Sequence, residues 1–310
     1  MKYRKLGKTD LKISVIGLGT DQFSGEWAKK FNQDEVNTII ERAHKLGINF
    51  IDTAECYGDH LSESLIGNAI HRNREEWIIA TKFGHRFHSH LNRTSEFSPT
   101  SVIQQLEESM RALNTDYIDI YQFHSGNNEE FNQHELWSLL NEKVKEGTIR
   151  HLGISILNSL VISNDISQIK KASEVNVETI QVVYNRLNRK AEEFVLPLCQ
   201  KQNLGVIVRI PLAKGHLTGK YNPDVTFPKN DKRYADDREQ TINQLKLVQD
   251  IKQKEVPSNM NMTQWALAWC LNHPSVSVVI PGCKDVIQLE SNAATADLDL
   301  VDNDHNLSWH

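Results

Sequence analysis

Short apolar runs alternate with helical patterns along almost the whole chain, and this alternation limits the possible folds more than any other feature. Residues 34–46, for example, carry apolar side chains three and four positions apart, and Gly47 follows where a helix can end in a left-handed turn. Ser98 and Pro99 supply the cap and the first turn of another helix. Eight apolar runs predict strands at residues 15–19, 48–51, 77–81, 117–123, 151–155, 179–183, 205–210 and 276–280.

Strands that alternate with helices form parallel sheets, because right-handed crossovers return the chain to the same end of the sheet. Two α/β folds satisfy this pattern, an open doubly wound sheet and a closed (β/α)8 TIM barrel. Eight strands in 310 residues favour the barrel, as a single domain over residues 1–310. Residues 1–13 predict an additional N-terminal β-hairpin at the bottom of the barrel. Residues 213–237 predict a long functional loop after the seventh strand.

Charge and composition exclude several classes of function. The net charge of −5 leaves no basic stripe for nucleic acid, and no apolar run is long enough to span a membrane. The basic residues 1–5 lead into no apolar run, so we expect no signal peptide. The cysteines form no CxxC pair, which predicts reduced thiols in a cytoplasmic protein, at Cys56, Cys199, Cys270 and Cys283.

Polar residues follow three neighbouring strands at the rim where a barrel builds its active site. Asp52 ends the second strand with Tyr57 just beyond it, Lys82 follows the third strand, and His124 ends the fourth. A tyrosine has an ordinary pKa of about 10, and a nearby lysine ammonium is expected to lower it. An aspartate would hold the lysine in place, and a histidine would orient a substrate oxygen. These four side chains suit proton donation to an oxygen that gains negative charge as hydride reaches a carbonyl carbon.

At these residues the chain resembles the aldo-keto reductases, and the resemblance extends over essentially its whole length. Asp52-Thr53-Ala54-Glu55-Cys56-Tyr57-Gly58, followed by Ser62-Glu63 and Gly67, resembles the DTAxxYG…SExxxG signature of the family. Residues 147–155 are similar to the GKIRxIGVS segment of the family, and residues 211–221 to its PLAxGxLTGKY loop. The resemblance implies a catalytic tetrad of Asp52, Tyr57, Lys82 and His124, with Tyr57 as the general acid.

The resemblance also implies a nicotinamide dinucleotide that lies across the mouth of the barrel. A Rossmann fingerprint is absent, since Gly17-Leu18-Gly19 lacks the third glycine, but this family does not use one. The matching positions imply cofactor contacts from Gly19, Thr20, Ser155, Gln181, Arg209, Leu212, Gly215, Leu217, Lys220, Gly282, Lys284, Gln288 and Asn292.

Four positions depart from the common pattern of the cofactor site, one of them Ser291, which replaces a common glutamate. Arg209 stands where many members stack a tyrosine on the nicotinamide, and a guanidinium plane can stack there too. We expect its positive charge to disfavour the oxidised cofactor. Ile156 replaces an asparagine, which removes one carboxamide contact. Lys284 replaces a common arginine but still offers a charge to a 2′-phosphate, so we expect NADP(H), with NAD(H) as the alternative.

The sequence therefore predicts an NAD(P)H-dependent oxidoreductase that reduces an aldehyde or ketone to an alcohol. Two alternatives stay open: an NADP(H)-binding regulatory barrel like a channel subunit, and a sugar or alcohol dehydrogenase that works in the oxidative direction. We expect a small carbonyl or sugar substrate, no nucleic-acid or membrane partner, and a monomer or weak homo-oligomer. His85, His88 and His90 are interpreted as a polar loop over the active site, so no metal site is predicted. Trp27 is a candidate wall of the substrate pocket.

Overall fold

In the computed structural model, which describes residues 1–299, eight parallel strands form one sheet. The strands of this part of the chain are β1 (Tyr3–Lys5), β2 (Lys12–Ser14), β3 (Leu18–Gly19), β4 (Phe50–Asp52), β5 (Ile78–Phe83), β6 (His85–Ser89), β7 (Asn92–Ser95), β8 (Ile118–His124), β9 (Ile149–Ser155), β10 (Val177–Val183), β11 (Gly205–Arg209) and β12 (Val276–Val279). The large sheet has the order β3-β4-β5-β8-β9-β10-β11-β12, with parallel pairing throughout.

The two edges of this sheet meet and close it into a barrel. The Gly17 N–H donates to the Val279 carbonyl over 2.9 Å, and the Val279 N–H donates to the Val15 carbonyl over 3.1 Å. All eight predicted strands are present, with ends shifted by up to three residues, and the predicted TIM barrel is confirmed. Residues 300–310 of the predicted domain lie outside the described residues.

Helices alternate with these strands and bury one apolar face against them. In the described residues they are α1 (Gln33–Lys45), α2 (Leu61–Ile70), α3 (Pro99–Leu113), α4 (Asn128–Phe131), α5 (His134–Lys145), α6 (Asn158–Ile162), α7 (Ser167–Lys171), α8 (Val195–Lys201), α9 (Arg238–Lys254), α10 (Met262–Leu271) and α11 (Val286–Ala293). Gly47 has a φ of +80°, in the left-handed region, as predicted after α1. Ser98 precedes α3, but its side chain makes no cap bond and donates instead to Glu96. None of these helices combines the length and the apolar character that crossing a bilayer requires.

The antiparallel pair β1–β2 closes the bottom of the barrel, as predicted. Leu6, Leu11 and Ile13 are buried in one cluster with Phe50 and with other apolar residues of the barrel strands. A Cβ atom on Gly205 would lie 2.5 Å from Leu6 Cγ, so the close fit of the hairpin requires a glycine there.

The polar loop predicted after β5 is instead an antiparallel hairpin, β6–β7, over the mouth of the barrel. Gly84 makes the turn into it with a φ of +118°, and a Cβ atom there would lie 1.9 Å from the Phe97 ring. The Leu91 N–H donates to Glu26 Oε1 over 2.9 Å, and Arg93 Nη2 donates to Glu26 Oε2 over 2.6 Å. The buried Glu26 carboxylate therefore fixes the hairpin beside the active-site rim.

Candidate active site

The barrel brings the four predicted catalytic side chains together at one rim. Lys82 is fully buried, and its Nζ donates over 2.6 Å both to Asp52 Oδ1 and to the Thr53 carbonyl. The same Nζ lies 3.4 Å from the Tyr57 hydroxyl oxygen. The Tyr57 and His124 rings are nearly perpendicular, with their centroids 6.3 Å apart. One ammonium thus links the aspartate to the phenol.

The Asp52 carboxylate is held on both sides. Its Oδ2 accepts from Gln181 Nε2 over 2.6 Å and from Gln122 Nε2 over 3.2 Å. Sequence reasoning missed Gln122, although it lies two positions before His124 on β8. Residues two apart on a strand point to the same face, and this spacing is the signal that identifies Gln122 as a side chain of the barrel interior.

The pKa of Tyr57 shifts in the direction opposite to the one expected from the sequence. Burial raises it well above its usual value, and the negative charges of Asp21 and Asp52 raise it further, while Arg209 acts in the other direction. The Lys82 ammonium is matched by the Asp52 carboxylate 2.6 Å away, so the pair presents little net charge to the phenol. Tyr57 therefore keeps its proton through the neutral range.

His124 is held in its uncharged form. Burial lowers the pKa of its imidazole well below the usual value, and the positive charges of His85, Lys82 and Arg209 act in the same direction. A neutral imidazole has one N–H donor and one acceptor nitrogen. His124 can therefore donate a hydrogen bond to a substrate oxygen without competing with Tyr57 as an acid.

A cavity of about 640 Å³ opens beside Tyr57 and His124, a size within the usual range for small-molecule sites. Asp52 also lines it, as does Trp27, the predicted pocket wall. The predicted cofactor residues that line it are Gly19, Thr20, Gln181, Arg209, Leu212, Gly215, Lys220, Gly282, Lys284 and Gln288.

Four predicted site residues lie behind the lining of the cavity. Lys82 reaches Tyr57 from below, and Ser155 Oγ donates to Gln181 Oε1 over 3.3 Å. Asn292 Nδ2 donates to the Gly282 carbonyl over 3.4 Å and supports that loop. Leu217 was predicted to contact the cofactor, but it does not line the cavity. Its apolar side chain is fully buried in a cluster with residues of α9 and α10 such as Trp265, which removes it from water.

Cations gather on another part of the cavity wall, where Lys220, Arg233 and Lys284 all line it. Burial and then the charge of Arg233 lower the pKa of Lys284, and Lys220 contributes to the same shift. Arg233, which sequence reasoning missed, is held by two bonds of 2.8 and 2.6 Å to Asp231. An anion bound between these groups would relieve their mutual repulsion.

Two loops meet across this part of the mouth. Trp27 forms an isolated antiparallel bridge with Asp231, and the Lys232 N–H donates to the Glu26 carbonyl over 2.9 Å. Trp27 Nε1 donates to Asp21 Oδ2 over 3.0 Å, which fixes the indole on the cavity wall. The predicted functional loop at residues 213–237 thus supplies one side of the cavity.

The three histidines of the β6–β7 hairpin do not converge on a common point. The His85 ring lies 4.8 Å from the His124 ring, between centroids, while His88 Nε2 lies 2.9 Å from Thr94 Oγ1. His90 Nδ1 lies 3.9 Å from Glu26. Each of these histidines therefore contacts a different group.

Comparisons with known proteins agree with this fold. A family model described as the aldo/keto reductase family matches residues 15–307. The uncharacterized oxidoreductase YqkF of Bacillus subtilis (strain 168) is 33% identical over 298 residues, covering 96% of this chain and 91% of YqkF. The NADH-specific methylglyoxal reductase of Escherichia coli (strain K12) is 31% identical over 325 residues, covering 99% and 97%. The holo form of aldo-keto reductase AKR11C1 from Bacillus halodurans has a TM-score of 0.78 at 28% identity and 99% coverage of both chains.

Proposed function

The chain belongs to the aldo/keto reductase family of oxidoreductases, and we propose that it reduces a small aldehyde or ketone to an alcohol with NADPH. The observation that carries this proposal is the Tyr57 hydroxyl on the wall of the cavity, 3.4 Å from the buried Lys82 ammonium. A proton donor beside a cavity, backed by a fixed cation, is the arrangement that carbonyl reduction needs.

Each side chain of the tetrad has a defined part in this reaction. When bound, NADPH supplies the hydride. Tyr57 gives its proton to the carbonyl oxygen, and Lys82 stabilises the phenolate that remains. Asp52 holds Lys82 in place, and the uncharged His124 orients the carbonyl by donating a hydrogen bond. The raised pKa of Tyr57 keeps the phenol protonated, which is the form that reduction needs.

The donors in the cavity fit the nicotinamide end of a dinucleotide. Gln181 offers an amide to the carboxamide, and Ser155 supports Gln181 from behind. Arg209 lines the cavity, its Nη2 donates to the Ile156 carbonyl over 3.1 Å, and its buried Nε has no hydrogen-bond partner among the described residues. An unpaired buried donor favours a ligand that accepts a hydrogen bond from it or stacks on its plane.

The cationic wall fits the phosphate groups of the cofactor. Lys220, Arg233 and Lys284 would meet the pyrophosphate and the 2′-phosphate, and their clustered positive charge supports NADPH as the cofactor. One relative is named as an NADH-specific methylglyoxal reductase. The choice between NADPH and NADH is therefore the part of the proposal that most needs a direct measurement.

The first test follows NADPH and NADH absorbance with simple aldehydes, methylglyoxal, ketoses and ketones. We expect carbonyl-dependent oxidation of NADPH with a higher kcat/KM than for NADH. Lys284→Met should lower kcat/KM for NADPH by about tenfold to a hundredfold, because a charge-assisted contact is lost. The same change should leave NADH turnover nearly unchanged, and Lys246→Met on the outer helix α9 is the matched control.

Two results would contradict the proposal. Tight NADPH binding without turnover of any carbonyl would favour the regulatory barrel, and equal use of NADH would reject the coenzyme preference.

The sequence prediction of a cytoplasmic protein is kept as part of the proposal. Its support is that all four cysteines are buried free thiols.

Arg209 is expected to set the relative affinity for the two redox forms of the cofactor. The nicotinamide ring is cationic only when oxidised, so the guanidinium should weaken NADP⁺ binding relative to NADPH. Arg209→Tyr should shift the ratio of the two dissociation constants toward NADP⁺, while Arg209→Lys, which keeps the charge, should preserve the ratio. Calorimetric titration measures both constants, and equal ratios in wild type and Arg209→Tyr would reject the charge effect.

A further inference from the structure

Three side chains that could each bind a metal ion converge at the edge of the cavity, and one of them, His124, belongs to the tetrad. Glu55, Cys56 and His124 each offer one ligand atom, and these atoms all lie within 4.8 Å of one another. Cys56 Sγ lies 3.8 Å from His124 Nδ1. Glu55 and Cys56 lie three and four residues after the end of β4 and His124 ends β8, so the closure of the barrel creates the cluster.

The Glu55 carboxyl group is only half satisfied by the protein. Its Oε1 accepts the His85 N–H over 3.0 Å, whereas its Oε2 is buried without a hydrogen-bond partner among the described residues. Only 3% of Glu55 is exposed, and burial raises the pKa of its carboxyl to about 8. A buried oxygen without a partner is costly in free energy, and in native proteins it often marks the place of a missing ion or ligand.

The spacing of the Cys56–His124 pair suits zinc. Bonds of about 2.3 Å to sulfur and about 2.0 Å to nitrogen place these two atoms ~3.5 Å apart around a tetrahedral zinc ion. The observed 3.8 Å between Cys56 Sγ and His124 Nδ1 needs only a small side-chain movement. Thiolate, imidazole and carboxylate are also the three ligand types that zinc takes in proteins.

We propose that Glu55, Cys56 and His124 form a binding site for a zinc-class divalent cation, with Cys56 Sγ, His124 Nδ1 and a Glu55 oxygen as ligands. Cys56 and His124 also line the cavity, so the fourth position of the ion faces the cavity and takes a water molecule. Three protein ligands with one open position leave an ion that can be both loaded and removed.

Binding of the metal ion changes the protonation of two of its three ligands. The Cys56 thiol and the Glu55 carboxyl each lose one proton to solvent, and His124 Nδ1 gives its lone pair to the metal. Two negative ligands then neutralise the doubly charged cation. The neighbouring cations are already paired, Arg93 with Glu26 over 2.6 Å and Lys82 with Asp52 over 2.6 Å, so the site stays close to neutral.

Occupation of this site blocks carbonyl reduction. The bound ion locks the His124 ring, and its water molecule takes the place on the cavity wall that a substrate oxygen needs. This consequence rests on the proposed reductase function, whereas the binding site itself does not.

Cobalt(II) is a spectroscopic probe of the site, because a cysteine ligand gives thiolate-to-cobalt charge-transfer absorption. Chelator-treated protein is expected to develop this band with one equivalent of Co²⁺ and to lose it when Zn²⁺ is added. Cys56→Ala should abolish the band, and Cys199→Ala, which removes a buried thiol of α8, should keep it. Glu55→Gln should weaken cobalt binding about tenfold or more. Circular dichroism of every variant checks that the barrel is folded.

The outcomes separate the binding site from the reductase function. No charge-transfer band in the wild type, or an unchanged band in Cys56→Ala, would overturn the site. Zn²⁺ should inhibit NADPH-dependent reduction in the wild type, EDTA should restore it, and Cys56→Ala should need at least about tenfold more Zn²⁺. Binding without inhibition would overturn the blocking effect, and wild type that reduces no carbonyl but gives the cobalt band would overturn only the reductase function.

Discussion

Replacing Tyr57 by phenylalanine is expected to lower kcat for carbonyl reduction by about 10²–10⁴-fold, the usual contribution of a positioned general acid. The substitution removes one oxygen atom and with it the proton that the carbonyl oxygen needs. The Lys82–Asp52 pair stays in place because its 2.6 Å bond does not involve the phenol. NADPH affinity should change little. Single-turnover kinetics and calorimetric titration measure the two effects separately.

Tyr121→Phe is the matched control for this loss. Tyr121 is fully buried on β8, and its hydroxyl makes one weak bond of 3.5 Å to the Val102 carbonyl. Tyr121→Phe removes a buried hydroxyl group in the same part of the barrel, but this hydroxyl does not line the cavity. The kcat should therefore stay close to that of the wild type. A Tyr57→Phe variant with wild-type turnover would reject Tyr57 as the proton donor.

Replacing Lys82 by methionine is expected to destabilise the protein by about 3–5 kcal/mol, the usual cost of removing one partner of a buried ion pair. Lys82 is fully buried and only 2% of Asp52 is exposed, so the carboxylate would lose its counter-charge with very little contact with water in exchange. Two glutamines would still donate to it, but neither carries a charge. Denaturant unfolding measures the loss.

A double variant distinguishes this effect from loss of packing. Asp52→Asn combined with Lys82→Met removes both charges, and we expect it to be more stable than either single variant. Lys45→Met is the surface control, since Lys45 pairs with Glu41 on the exposed face of α1, and it should change the stability far less than either buried single variant. If the two single variants lower the free energy of unfolding by amounts that simply add in the double variant, the two charges are not coupled. In that case Lys82 and Asp52 do not form a stabilising ion pair.

The barrel and the tetrad could be predicted from the sequence because both depend on short-range sequence patterns. Alternating strands and helices admit few topologies, and the eight predicted strands are all found in the barrel. In a parallel barrel the ends of neighbouring strands meet at one rim, so the positions of Asp52, Lys82 and His124 after their strands were enough to predict that they converge.

Some local predictions failed where other residues compete for the same groups. Ser98 stands at the start of α3, but Glu96 takes its hydroxyl, so the predicted cap bond does not form. His85, His88 and His90 were interpreted as a polar loop, whereas Glu26 in another loop holds this segment as a hairpin. Leu217 was placed on the cavity wall by its motif, but contacts with α9 and α10 bury it.

The sequence by itself determined which side chains meet at the active-site rim, Tyr57 among them. Only the tertiary structure decided their electrostatic state. The pKa of a phenol depends on burial and on every charge nearby, and these come from strands and loops far apart in the chain. Asp52 offsets the charge of Lys82, so burial and the nearby carboxylates outweigh the ammonium and raise the pKa of Tyr57. The same closure of the barrel brings Glu55 and Cys56 to His124, a cluster that no local motif predicts.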